Sequence, residues 1–329
     1  MKRSSNLEIM RFAAAILVIF SHSFTLIQGT SEKEWLVLAT NAQLTFGSLA
    51  VAMFFLCGGF FTVSEIKKIN CVKQYITKRL KRIIPMLAVV TFACVVMGAF
   101  VSELGVREYL CNKGTYIYLL NSFMILIHDL PGVFTGAPYA STVNGALWTL
   151  PLEFVCNLVC VIAYKMGLVK KKTILYLAPA VAIIAGGLWW CSTAIPLLGS
   201  VVLPCLLFFV GAFYNIYFEE IKLDGKISAI CGVVLVVTAI FGGLFWAMLI
   251  CFPYLMFWLW FEAKQIDTRV ARIGKLSYPI YLCGFPIQQL FGYIDGWKSP
   301  WYVNAMLSIP TAVIIGGAVY YLCCGRRAK

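Results

Sequence analysis

The chain has 329 residues, 61% of them hydrophobic and only 12% charged, with a formal net charge of +13. Soluble chains of this size are nearer half apolar and a quarter charged, so the composition excludes a water-soluble globular protein and points to a polytopic membrane protein. The positive charge fits the positive-inside rule better than a nucleic-acid partner, which is not expected.

A bilayer is crossed by about twenty apolar residues in a helix. Ten stretches qualify in chain order: 8–28, 44–64, 83–102, 146–165, 173–191, 197–217, 227–244, 246–261, 276–292 and 302–323. If the N-terminus is cytoplasmic and the spans alternate, 23 of the 27 lysines and arginines fall inside, leaving Lys33, Arg107, Lys113 and Lys298 outside. The expected fold is therefore an all-α bundle of ten transmembrane helices with both termini cytoplasmic, a single domain over 1–329 in the cell membrane. The first stretch has no small-x-small cleavage pattern behind it and reads as a retained helix. A shorter apolar patch, Thr115 to Ile127, contains Asn121. As a full span it would reverse every later loop, so 103–145 is placed outside, its apolar part an interfacial or re-entrant helix. The thirteen cysteines are scattered without metal-ligand spacing. They read as free thiols, with a Cys111–Cys191 bridge the one pairing open at the outer face, and no metal is expected.

Ionisable residues at membrane depth are costly and mark functional sites by default. Arg11 and His22 sit eleven residues apart in the first span, about 16 Å along a helix and on nearly the same face. Arg11 either snorkels to the headgroups or contacts an anionic ligand from the cytoplasm. Glu153 opens the fourth span, behind Pro151, at a depth comparable with His22. A carboxylate beside an imidazole would fix its tautomer and raise its basicity. The loop 65–82 carries Lys67, Lys68, Lys73, Lys78, Arg79, Lys81 and Arg82. It serves either topology beside anionic lipid or as an anion grip for the phosphates of a nucleotide-bearing donor. Ser277, Tyr278 and Tyr281 form a polar stripe at the start of the ninth span. His128, in the external loop, reads as a surface residue. No zinc signature, P-loop, nucleophile elbow or dinucleotide fingerprint is present.

Four segments together resemble the membrane acyltransferase family 3. They are Arg11-x10-His22 with serines on both sides of the histidine, and Ser48 to Phe60 followed by the basic Tyr75 to Pro85. The others are Val143-Asn-Gly-Ala-Leu-Trp-Thr-Leu-Pro-Leu-Glu-Phe154 and Gly274-Lys-Leu-Ser-Tyr-Pro-Ile-Tyr-Leu-Cys-Gly-Phe-Pro286. The resemblance implies ten spans, an acyl-CoA donor, in first place acetyl-CoA, on the inside, and a glycan or lipid-linked sugar acceptor at the outer face. It implies His22 as the essential histidine with Glu153 as its carboxylate. Arg11, Arg79 and Arg82 are the implied donor-binding cations. Ser21, Asn144, Trp148, Tyr278 and Tyr281 are the residues expected to contact substrate. The sequence departs from the family where Cys57 or Gly58 stands in place of a frequent serine and near Gly284, before the Phe-Pro, where the family often has a histidine.

The expected function is a multi-pass O-acyltransferase. His22 would be a general base on the acceptor hydroxyl or a transient carrier of the acyl group. With no appended extracellular domain expected, transfer would finish within the membrane part. The alternative is a transporter or flippase of a lipid-linked sugar that uses the same charges as a polar path. Membrane lipid is the expected surroundings, and the sequence leaves room for a homodimer.

Overall fold

The computed structural model describes residues 4–69, 71–168, 187 and 196–325. Among these the chain is helical throughout, with no strand and a single isolated bridge between Ser102 and Val133. The helices are α1 (Ser5–Gln28), α2 (Trp35–Ala39), α3 (Phe46–Ile66), α4 (Val72–Val101), α5 (Val106–Cys111) and α6 (Lys113–Ile117). They continue with α7 (Thr149–Lys165), α8 (Pro196–Ile216), α9 (Gly225–Phe241), α10 (Leu244–Phe261), α11 (Thr268–Ala271), α12 (Ser277–Ile294) and α13 (Trp301–Cys324). Helices occupy nine of the ten predicted spans; the tenth, 173–191, lies outside the described residues.

Six of these helical segments are long and apolar enough to cross a membrane: Ser5–Gln28, Phe46–Ile66, Val72–Val101, Gly145–Lys165, Leu244–Phe261 and Trp301–Cys324. α12 is not among the six, although its length is 18 residues. Its polar residues Ser277, Gln288 and Gln289 are buried, because α12 runs through the middle of the bundle with α1, α4 and α13 against it.

α1 is pinned at its N-terminal end. Ser4 caps it by accepting from the Leu7 N–H at 3.2 Å. The Asn6 amide donates to Leu259 O at 2.9 Å and Lys264 O at 3.2 Å, and its carbonyl accepts from Ile266 N at 3.0 Å. These bonds satisfy backbone groups at the α10 terminus that have no intrahelical partner. Gly274 lies so close to α1 that an added Cβ would stand 2.3 Å from Glu8 O, which sets the turn Arg272–Leu276 hard against the first helix.

α3 and α8 share the most extensive helix contact. A Cβ on Gly59 would stand 1.7 Å from Phe208 O, and one on Gly211 would stand 2.0 Å from Leu56 O. Small residues at such a crossing let two backbones meet, the usual basis of helix association in lipid.

The segment 103–145 differs in detail from the expected interfacial or re-entrant helix. The chain tightens from α6 into a 3-10 turn, Tyr118–Phe123, packed on α4. Asn121 is the reason: its side chain donates to Tyr118 O and Ile127 O, both at 2.9 Å, and accepts from Ile127 N at 3.0 Å. Those bonds compete with helix continuation. His128 is exposed, and its carbonyl accepts from Val143 N at 2.9 Å. The twelve described cysteines are free thiols; Cys191, the expected partner of Cys111, lies outside the described residues.

Replacing Gly59 or Gly211 by valine is expected to abolish a folded, monodisperse protein in detergent, since backbone stands where the side chain must go. Valine at Gly317, which has open space around it, leaves the elution profile unchanged. Size-exclusion chromatography of the three variants checks this.

Candidate functional site

A cavity of about 550 Å³ enters the bundle from the end that carries the basic residues. Glu8 and Arg11 of α1, Glu65 of α3, Arg79 and Arg82 of α4, Lys275, and Tyr320 and Cys324 of α13 line its mouth and walls. The first turns of α1 and the last turn of α13 thus share one end of the bundle. Further in, Cys57, Gly58, Glu153, Tyr278, Phe54, Thr149 and Tyr281 line it, together with Val51.

The three arginines named from the sequence are brought together here, each facing a carboxylate. Arg79 Nη2 donates to Glu153 Oε1. Arg82 lies 3.4 Å from Glu65, and Arg11 lies 3.9 Å from Glu8. The Arg79 side chain is only 10% exposed, so its charge depends on Glu153, whereas Arg82 at 53% faces open space at the mouth. A buried charge without a partner costs several kcal/mol, which makes the first pair obligatory and the other two exchangeable. The Nε of Arg79 is buried without a partner, a donor left over inside the cavity wall. Lys275 adds a cation that the sequence reading did not assign to this site; its signal was only a basic residue just before the ninth span.

Glu153 therefore does not play the part expected of it. It begins its helix as predicted, but its carboxylate goes to Arg79 and not to His22. Gly58 makes room for it: a Cβ there would stand 2.9 Å from Glu153 Oε1. That contact accounts for the glycine where the family often has serine.

His22 stands elsewhere. It does not line the cavity, its ring meets Phe285 edge-on with centroids 5.2 Å apart, and its Nδ1 is buried without a hydrogen-bond partner. Six residues from the end of α1, it lies about 9 Å from that terminus, toward the opposite end of the bundle from the cavity mouth. The residue before it, Ser21, is bonded to a carboxylate that the sequence reading missed. Glu34, fully buried at the start of α2, accepts from Ser21 Oγ at 2.7 Å and from the Phe46 N–H. Burial raises its pKa, while the Phe46 and Ser21 hydrogen bonds hold it down. A glutamate in the loop between α1 and α3, two residues after Glu32, carried no sequence signal, since its burial comes from the packing of α1 and α3 around it.

Of the other residues expected to contact substrate, Tyr278 and Tyr281 line the cavity. Ser21 is engaged by Glu34. Asn144 is buried, donating to Leu282 O at 2.9 Å and accepting from Ala146 N at 3.2 Å, which holds the 3-10 turn Gly145–Trp148 on α12. Trp148 lies in that turn, outside the cavity lining. No group of three or more histidine, cysteine or acidic residues suited to a metal occurs among the described residues.

A family model described as an acyltransferase domain matches residues 4–325. The chain belongs to the membrane acyltransferase family 3. It is an acyltransferase, and its long apolar helices are those of a membrane protein. It is similar to an O-acetyl transferase of Shigella phage Sf6, 24% identical over 331 residues, covering 96% of this chain and 93% of that one. It is also similar to nodulation protein 10 of Rhizobium leguminosarum bv. viciae, 29% identical over 160 residues, covering 45% of this chain and 41% of that protein. No solved structure matches.

Glu153→Gln is expected to destabilise this acyltransferase by roughly 3–5 kcal/mol by stranding the Arg79 charge. The double substitution Arg79→Met with Glu153→Leu recovers most of that loss. Thermal unfolding of the single and double variants in one detergent measures the coupling.

Proposed function

We propose that the protein is an integral membrane O-acyltransferase, in first place an O-acetyltransferase, that moves an acyl group from cytoplasmic acyl-CoA to a hydroxyl of a cell-surface or lipid-linked glycan. The observation that carries this reading is the cavity: it opens among Arg11, Arg82 and Lys275 and runs past the Arg79–Glu153 pair toward the half of the bundle that holds His22. The similarity to a phage O-acetyl transferase over nearly the whole chain supports the chemistry and favours it over a carrier without transfer.

The basic end faces the cytoplasm in this reading, as the distribution of lysine and arginine requires. The exchangeable guanidinium of Arg82, with Arg11 and Lys275, holds the phosphates of the donor; a phosphate replaces Glu65 or Glu8 as their counter-ion. Arg79 keeps Glu153 and offers its spare Nε. The thioester end, which carries no charge, points inward along Phe54, Tyr278 and Tyr281. The acceptor arrives at the far side, beneath the loop 103–145.

The transfer step balances without any further reagent. His22 takes the proton of the acceptor hydroxyl as its oxygen attacks the thioester carbonyl. The carbon–sulfur bond breaks, an ester forms, and the thiolate leaves and is protonated. The free Nδ1 of His22 is the kind of unpaired nitrogen that a general base needs. Ser21, fixed by Glu34, holds the neighbouring backbone in place.

Two expected outcomes test the reading. His22→Ala abolishes transfer from radiolabelled acetyl-CoA to cell-envelope glycan while membrane expression stays normal; a fully active variant would overturn the mechanism. Arg82→Ala and Lys275→Ala each raise KM for acetyl-CoA about tenfold or more with kcat little changed, as loss of a charge-assisted phosphate contact predicts. Steady-state kinetics in detergent decide it.

A further inference from the structure

We propose that Tyr281 is the specificity-determining residue that limits the length of the acyl group this enzyme accepts. The inference rests on the donor reading above and adds a sieve to it. The cavity reaches Val51, four residues and so about 6 Å along α3 from Gly47, which stands against Ser21 beside His22. Yet His22 is not in its lining. Something stands between them.

That barrier is built from α12 and the turn before α7. The Tyr281 hydroxyl donates to the Ala146 carbonyl at 2.7 Å and pairs with the Thr149 hydroxyl at 2.7 Å. Its ring meets Phe54 edge-on, 5.9 Å between centroids. One helical turn further on, Phe285 packs between Gly145 and His22: a Cβ on Gly145 would stand 2.7 Å from its ring. Asn144 bonds Leu282 between those two levels. The turn Gly145–Trp148 is therefore latched to α12 at three successive points, and Tyr281 is the one that faces the cavity.

A thioester climbing from the basic end presents its acyl group first. It reaches His22 only past the aromatic ring of Tyr281, with Thr149 and Phe54 on the other sides. Two polar hydroxyls at the narrowing make a poor resting place for a methylene chain and an acceptable one for a small, carbonyl-bearing group. The side chain that swings to admit the acyl group thus also sets its size. Tyr281 lies deep in the bundle, at the end of the polar stripe that begins at Ser277 and Tyr278.

The test compares transfer from acetyl-, butyryl- and hexanoyl-CoA by the wild type, Tyr281→Phe, Tyr281→Leu and Thr149→Ala. Tyr281→Leu and Thr149→Ala widen the narrowing, and each lowers the preference for acetyl over butyryl by about tenfold, the scale that one or two methylenes in a shaped pocket command. Tyr281→Phe keeps the ring but removes one of the two hydroxyls, so its preference for acetyl falls by less than that of Tyr281→Leu, while its rate changes through loss of the latch. An unchanged acetyl-to-butyryl ratio in an active Tyr281→Leu protein overturns the proposal. If that variant does not fold, an unchanged ratio in Thr149→Ala overturns it equally. A wild-type protein that takes no acyl group from any CoA thioester defeats the donor reading instead, so the two failures are told apart.

Discussion

A guanidinium buried in the middle of a helix bundle must meet a carboxylate, and in this chain Arg79 meets Glu153. Much of the site follows from that requirement. The pair ties α4 to α7 across the cavity, and its carboxylate lies close against α3 at Gly58. α3 in turn is locked to α8 through Gly59, the next residue, so one side of α3 receives the ion pair and the other the close helix crossing. The cavity is the space that remains when these backbones are held at fixed distances by contacts that tolerate no additional atoms.

The arrangement separates two tasks that one set of charges would confuse. Arg79 is nearly enclosed and structural; Arg82, Arg11 and Lys275 stand toward the mouth and remain available to an anion. Glu8 and Glu65 keep the resting cavity close to neutral, which spares a row of like charges from repelling one another across a low-dielectric space. Toward the other end, the polar groups change in kind, from ionic to hydroxyl and amide: Thr149, Tyr281, Asn144 and Gln289. Deep in a membrane protein such groups are tolerable only when hydrogen-bonded within the bundle, and most of them bind backbone carbonyls of the turn before α7 or of the external loop.

That turn is where the external loop enters the fold. Gln289 donates to Ala140 O and Thr142 O, and Asn144 to Leu282 O. The same helix, α12, thus touches the cavity through Tyr278 and Tyr281, His22 through Phe285, and the loop through Gln289.

Composition alone decided that this chain belongs in a membrane, because too few polar residues exist to cover a soluble surface. The spacing of apolar stretches located nine described helices, and the clustering of Arg11, Arg79 and Arg82 at one end was legible because lysine and arginine collect on one side of a bilayer. The partner of Glu153 was not legible. A carboxylate and two candidate cations or an imidazole at similar depth on separate helices look alike until the helices are rotated and packed, and rotation is set by close contacts such as Gly59 on Phe208 that leave no periodic trace. Glu34 escaped notice for the same reason: nothing local marks a loop glutamate as buried. That Phe285 stands against His22 while Tyr281 lines the cavity is likewise a product of packing, since the sequence spaces those residues along one helix but only the tertiary structure decides which faces turn toward one another.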